Sequence, residues 1–297
     1  MMGDLLSGQL VVATLVLGVI YGLVALGLNL IYGTMRLLNV AHGEILMLGG
    51  YLSYWLFTLI GMGPLYSMFV ATALAGALGA FVYHFLCRRV LNASKLVEQI
   101  EANSLLLLFG VSIILQNVVA LSFTSTARAY AYLDQIIHIG NFQVTANRLA
   151  VLAIGLTVCV TCILYFRTSM TGLAIRALIQ RPDAAALVGI NIERVRLISF
   201  SLGFGIAGLA GGLISMLEQI SPFMGFPFTI AAFVVIILGG LGNLYGGLAG
   251  AFVLAIIEVY GVAFTSASMR SILIYGVFIG ILVWRPHGLF GLRGAAR

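Results

Sequence analysis

Residues 167–196 read RTSMTGLAIRALIQRPDAAALVGINIERVR and hold seven of the chain's 15 basic and 9 acidic side chains. On either side lie long apolar runs. The segment must lie in water, while its surroundings need not. The chain is 62% hydrophobic and 8% charged, where soluble domains carry about 25% charged residues, and its mean hydropathy is +1.14. An integral membrane protein follows, and in a chain this short of loops the polar island is the natural handle for something outside the bilayer.

The first apolar run, Leu10 to Tyr32, is long enough at ~1.5 Å per residue to cross a hydrocarbon core of ~30 Å. The N-terminal stretch MMGDLLSGQ lacks the basic region of a cleavable signal, so this run is expected to stay as a spanning helix. Further runs lie at about 43–60, 65–86, 104–123, 149–166, 196–217, 229–241, 246–264 and 271–284. The run at 229–241 is short and ends in Gly239, Gly240 and Gly242, which suggests a broken or re-entrant segment. The expected fold is an all-α polytopic membrane protein of eight to nine transmembrane helices, forming a single transmembrane domain over 1–297.

Basic residues set the expected orientation. Arg36, Arg88, Arg89, Lys95, Arg167, Arg176, Arg181, Arg194, Arg196, Arg285, Arg293 and Arg297 can all face the cytoplasm if the N-terminus is outside, nine segments cross and the C-terminus is inside. Trp284 beside Arg285 suits an interfacial anchor. The net charge of +6 thus reads as topology rather than as affinity for nucleic acid. The stretch 124–148, with AYAYLDQIIHIGNFQV, then falls outside as a small cap, either an ordered loop or a surface for a soluble partner.

Glycine is abundant, 36 residues, and much of it lies inside the apolar runs. Small residues recur at four-residue spacing at Gly18 and Gly22, at Ala71, Ala75 and Gly79, at Gly208 and Gly212, at Gly242, Gly246 and Gly250, and at Gly276 and Gly280. Such stripes let backbones approach closely, and close packing replaces the hydrophobic effect inside lipid.

No enzyme constellation is evident. The single lysine, Lys95, has no glycine-rich phosphate loop around it, so this chain is not expected to be an ATPase. The four histidines stand apart at 42, 84, 138 and 287. Cys159 and Cys162 make a C-x-x-C inside an apolar span with no further ligands, a structural pair rather than a metal or redox site.

Polar residues between or within the apolar runs are the candidates for a path. Asn39, His42 and Glu44 cluster in NVAHGE, which is either a solvated loop or a polar element in the membrane. Glu258 falls well inside the run from Gly246 to Phe264, where an ionised carboxylate needs a partner or a water-filled cavity. Glu218 and Arg270 sit at span ends, where water can reach them.

Within the island, Pro182 suits the first turn of a helix, Asp183 complements the positive end of its dipole, three alanines favour helix and Gly189 can end it. A short helix with a small-residue face results, either a docking surface or a solvated linker.

Three stretches carry a resemblance: GLNLIYG at 27–33 with LLNVAHGEILMLGGY at 37–51, GLAIRALIQRPDAAALVGINIERV at 172–195, and LGGLGNLYGGLAGAFVLAIIE at 238–258. In this order the chain resembles the inner-membrane permease of bacterial branched-chain amino acid ABC importers. The middle stretch, with Gly172, Arg176, Ala177, Asp183, Ala184, Ala185, Gly189 and Ile190, is shared by a wider group that includes sugar and urea permeases. The N-V-A-H-G-E element points to the amino acid and urea branch, and to the first of its two sister permeases.

The resemblance implies a multi-pass chain in the bacterial inner membrane beside a paralogous permease or a second copy of itself. It further implies two cytoplasmic ATP-binding subunits that hold ATP and Mg, and a periplasmic solute-binding protein. This chain would bind no cofactor. The segment at about 167–195 would be the coupling helix, with Gly172, Arg176, Ala177, Asp183, Ala184, Ala185, Ala186 and Gly189 meeting the ATPase. A bulky charged residue in place of Ala185 is expected to uncouple transport. Branched-chain amino acids are the expected cargo, with urea, amides and aromatic acids as alternatives. The rival class is a gradient-driven carrier or channel in which Glu44 or Glu258 binds a proton or cation.

Overall fold

A computed structural model describes residues 8–94, 96–140, 142–285 and 288–289. Lys95, His287, Arg293, Arg297 and the first seven residues lie outside the described residues. Among the described residues, eight helices are long and apolar enough to cross a membrane: α1 (Gly8–Met35), α2 (His42–Ile60), α3 (Pro64–Ala93), α4 (Val97–Phe123), α5 (Ala146–Thr168), α8 (Ile192–Ile214), α10 (Leu244–Phe264) and α11 (Ala267–Trp284). The two short helices α6 (Met170–Gln180) and α7 (Pro182–Leu187) fill the polar island. The apolar α9 (Gly225–Gly239) has only 15 residues, about 22 Å of helix. The protein is all-α and polytopic; β1 (Ile136–Ile139) and β2 (Phe142–Thr145) form one small antiparallel hairpin.

Close backbone approach organises the centre. α8 is wedged between α2 and α3 along the small-residue stripes. A β-carbon on Gly211 would lie 1.8 Å from the Leu46 carbonyl oxygen, one on Gly49 would lie 2.1 Å from that of Gly208, and one on Gly208 would lie 2.6 Å from Cβ of Ala75. Only glycine allows these contacts, and they seat the helices by dispersion where lipid offers no hydrophobic drive. α1 and α8 are the most buried spans, whereas α11 has no buried residue. On α11, Gly276 and Gly280 face open space within this chain.

Two helices are interrupted. After α1 ends near Arg36, residues 37–41 turn back into the bundle, and α2 starts with His42 Nε2 3.0 Å from the Val24 carbonyl oxygen. Val24 lies 11 residues before the end of α1, so α2 begins ~16 Å inside that end. α9 begins at the same depth, since a β-carbon on Gly43 would lie 1.9 Å from the Gly225 carbonyl oxygen. The short apolar run is thus a broken crossing: irregular residues 215–224 cover one half and α9 the other.

The two ends of the bundle differ. At one, Gly8 packs against Phe142 of the hairpin, Arg128 and Ile220 exchange backbone hydrogen bonds of 2.8 Å, and Arg128 lies over the Trp55 ring. Tyr130 Oη lies 2.8 Å from Ser215 Oγ there, and burial pushes its phenol up to about 12. The other end carries α6 and α7, the α9–α10 turn and Leu289, whose N–H donates to the Leu238 carbonyl.

Candidate functional site

The polar island folds as a helix–break–helix unit. Ser169 caps α6 by accepting from the Gly172 N–H at 2.9 Å, and a β-carbon on Gly172 would strike the Phe166 backbone at 2.5 Å. Arg181 adopts an extended conformation between α6 and α7, the one a residue before proline prefers. Asp183 lies in the first turn of α7, and Gly189 has φ +83°, the left-handed geometry that ends a helix. Arg176 Nη2 donates to the Arg167 carbonyl at 3.0 Å, closing α6 back onto the end of α5.

One face of the unit is turned inward and the other outward. Gly172, Ile175, Leu178 and Ala185 are buried. Ala185 is only 2% exposed, so a bulky charged side chain there would disturb the packing of α7 before it met any partner. Ala184, Ala186 and Gly189 are exposed and Ala177 is half-buried. Leu187 and Val188 are 89% and 76% exposed. A hollow of about 360 Å³ lined by Ala177, Gln180, Arg181, Ala184, Ala185 and Val188 lies beside them.

Ile179 connects this unit to the bundle. Its side chain sits against Gly33 of α1 and Gly242 of the α9–α10 turn. That turn is held by Asn29, which accepts from the Gly242 N–H at 2.7 Å and donates to the Asn243 carbonyl at 2.7 Å. Gly242 has φ +81° and precedes α10. Gly246 and Gly250 bring α10 against α9: β-carbons there would lie 2.0 Å from the Gly239 and 2.9 Å from the Val235 carbonyl oxygens.

The polar cluster at 39–44 is buried, and its members do not converge. His42 and Glu44 stand two residues apart in the first turn of α2, which sends them to opposite sides. His42 Nε2 carries the proton, since its partner, the Val24 carbonyl, can only accept. The ring lies edge-on to Phe204. Glu44 turns the other way, with Oε1 accepting from Ser112 of α4 at 3.2 Å and Oε2 beside the first residue of α9, 2.6 Å from where a β-carbon on Gly225 would be. Asn39 is fully buried on the returning segment, and neither of its amide atoms has a protein partner among the described residues.

Glu258 belongs to a different place. It is buried, accepts from Tyr21 Oη at 2.6 Å and pairs with Arg270 Nε at 2.5 Å. The ion pair ties α10 to α11, and the phenol ties both to α1. Among the described residues no group of three His, Cys, Asp or Glu side chains is arranged to hold a metal. Cys159 is buried and Cys162 half-buried, both free thiols.

Sequence reasoning missed Ser112, Thr229, Leu187 and Val188. Thr229 Oγ1 accepts from the Gly43 N–H at 2.9 Å, pinning α9 to α2. A serine or threonine inside an apolar run reads as filler. Only the fold shows what each one meets.

The profile of the family described as "Branched-chain amino acid transport system / permease component" matches residues 10–282. The chain is 29% identical over 290 residues to the high-affinity branched-chain amino acid transport system permease protein LivH of Escherichia coli strain K12, covering 93% of this chain and 92% of that one. It is 30% identical over 287 residues to a probable branched-chain amino acid transport permease protein LivH of Methanocaldococcus jannaschii, covering 91% and 88%. With the permease protein LivM of the Escherichia coli system it shares 25% over 301 residues, 95% of this chain and 70% of that one. No solved structure matches. The match over nearly the whole chain places this multi-pass membrane protein in the branched-chain amino acid transport system permease family.

Proposed function

We propose that this chain is the transmembrane permease of an ATP-driven importer that moves branched-chain or related hydrophobic amino acids across the bacterial inner membrane. It acts beside a related second permease, since its family relatives include both LivH and LivM. Two cytoplasmic ATP-binding subunits hold ATP and Mg, and a periplasmic binding protein delivers the cargo. The chain itself binds no cofactor, catalyses no reaction and makes no contact with nucleic acid. Its N-terminus and hairpin cap face the periplasm, and α6, α7 and the C-terminus face the cytoplasm. Clustered basic residues at the α6–α7 end support that orientation.

One observation carries the reading. Leu187 and Val188 are 89% and 76% exposed within the most charged segment of the chain, where lipid cannot cover them. Apolar side chains presented in water beside a hollow are what a docking helix offers to a groove in a soluble partner. Here the partner is the ATP-binding subunit, and the Ala184, Ala186, Leu187 and Val188 face enters its groove. Movement of the ATPases reaches the bundle through Ile179, Gly33 and the turn at Gly242. Of the candidate path residues, Glu44 lies on the route with Asn39 on the segment before it. His42 and Glu258 hold helices together.

The test is Leu187→Asp in the assembled complex. The chain should reach the membrane in normal amount, lose its ATP-binding subunits in mild detergent, and support leucine uptake at least tenfold slower. Full uptake by that variant would refute docking at α7.

A further inference from the structure

We infer that the polar seam between α4 and residues 32–44 is the cytoplasmic half of the route of a zwitterionic amino acid, and that Glu44 receives its ammonium group. The inference rests on the transport reading above and deepens it.

α4 is seated on its neighbours in an unusual way. A spanning helix normally packs through small or apolar residues, as α8 does on α2 and α3. On the inward face of α4, by contrast, Glu101, Ser104 and Ser112 each meet a polar group. Tyr32 Oη donates to Glu101 Oε1 at 2.8 Å, the Leu38 N–H donates to Ser104 Oγ at 3.0 Å, and Ser112 Oγ donates to Glu44 Oε1 at 3.2 Å. These contacts climb 11 residues of α4, or ~16 Å, from the cytoplasmic end to the level where α2 and α9 begin. At the foot, Arg36 reaches the Tyr32 hydroxyl. Leu108, fully buried between the two serines, belongs to the apolar cluster that contains Leu37 and Ile45. The seam thus presents hydrogen-bonding groups beside apolar ones, as an amino acid with a hydrocarbon tail requires.

Glu44 stands at its head. The residue is 1% exposed, and its Oε2 has no protein partner among the described residues. The start of α2 and the start of α9 both adjoin this carboxylate. One oxygen remains to accept from a ligand. A buried carboxylate with an open acceptor calls for a cation that donates hydrogen bonds. The ammonium of an amino acid is such a group, and its own carboxylate is suited to the same two helix starts. Polar contacts along the seam can be exchanged for contacts to the cargo at small net cost, which an interlocked apolar interface does not allow.

The test uses the complete reconstituted importer carrying Ser112→Cys, with labelling at position 112 read by mass spectrometry so that the native cysteines need no replacement. Positively charged methanethiosulfonate ethylammonium should react at least tenfold faster than the negatively charged ethylsulfonate reagent. Adding Glu44→Gln should equalise the two. Leucine with ATP should slow the cationic reagent at least fivefold. If Ser112→Cys prevents assembly, Ser104→Cys should show the same preference for the cationic reagent and the same protection by leucine. Equal rates for the two reagents overturn the seam. Charge preference without protection by leucine, in a complex that transports leucine, overturns the route and leaves the importer reading standing. A complex without the cysteine substitution that moves no leucine contradicts the importer reading and takes the route with it.

Discussion

Ile179 of α6 is seated on Gly33 of α1 so closely that a β-carbon on Gly33 would lie 3.2 Å from its Cδ1 atom and 3.3 Å from Cα of Gly242. Any motion of α6 therefore reaches α1 and the α9–α10 turn together. Ile179→Ala should loosen that contact without removing the exposed Leu187 and Val188 face proposed for docking. Uptake per ATP hydrolysed should fall about tenfold, within the usual range of coupling free energies of about 1–3 kcal/mol, and simultaneous measurement of leucine uptake and ATP hydrolysis in proteoliposomes checks it.

The glycines that bring backbones together should behave unlike those that do not. Gly211→Ala drives a methyl into the Leu46 carbonyl, at 1.8 Å, and Gly43→Ala into that of Gly225, at 1.9 Å. Backbone atoms cannot turn aside as a flexible side chain can, so each change should cost about 3 kcal/mol, the upper part of the overpacking range, or more. Gly276→Ala meets nothing within 4 Å in this chain and should be neutral or slightly stabilising through helix propensity. Thermal melting of the purified variants in detergent ranks the three.

Glu258 and Arg270 should show strong coupling. Arg270→Gln leaves the Glu258 carboxylate 4% exposed without its cation, whereas changing both residues leaves no stranded charge. The Arg270 side chain is 42% exposed, which reduces the loss through solvent screening to about 1–2 kcal/mol. The double variant Glu258→Gln with Arg270→Gln should be more stable than Arg270→Gln alone. Melting temperatures across the cycle test this, and a strictly additive result would count against a buried pair.

Much of the architecture can be read from local sequence. The apolar runs mark the spans, Pro182 and Gly189 mark the break and the end of the island, and the Ala71, Ala75 and Gly208 stripes mark where α3 and α8 meet. Depth cannot be read in this way. Asn39, His42 and Glu44 join two apolar runs and read equally as a solvated loop or a buried polar element; their burial follows from α1, whose Val24 accepts the His42 hydrogen bond from 18 residues away in sequence. Likewise Glu258 signals that it needs a partner but not that Tyr21, 237 residues away, is one. The exposure of Leu187 and Val188 depends on which way α7 rolls once Ala185 is buried. Periodicity over six residues is too short to decide that.

The most direct measurement is to purify the tagged chain from its native membrane in mild detergent, reconstitute everything that remains bound, and follow leucine uptake with its binding protein present. The account predicts a second apolar permease and a P-loop ATPase in the preparation, with uptake that needs ATP and ignores a proton gradient. A chain that comes out alone and carries leucine on a proton gradient without ATP would contradict it.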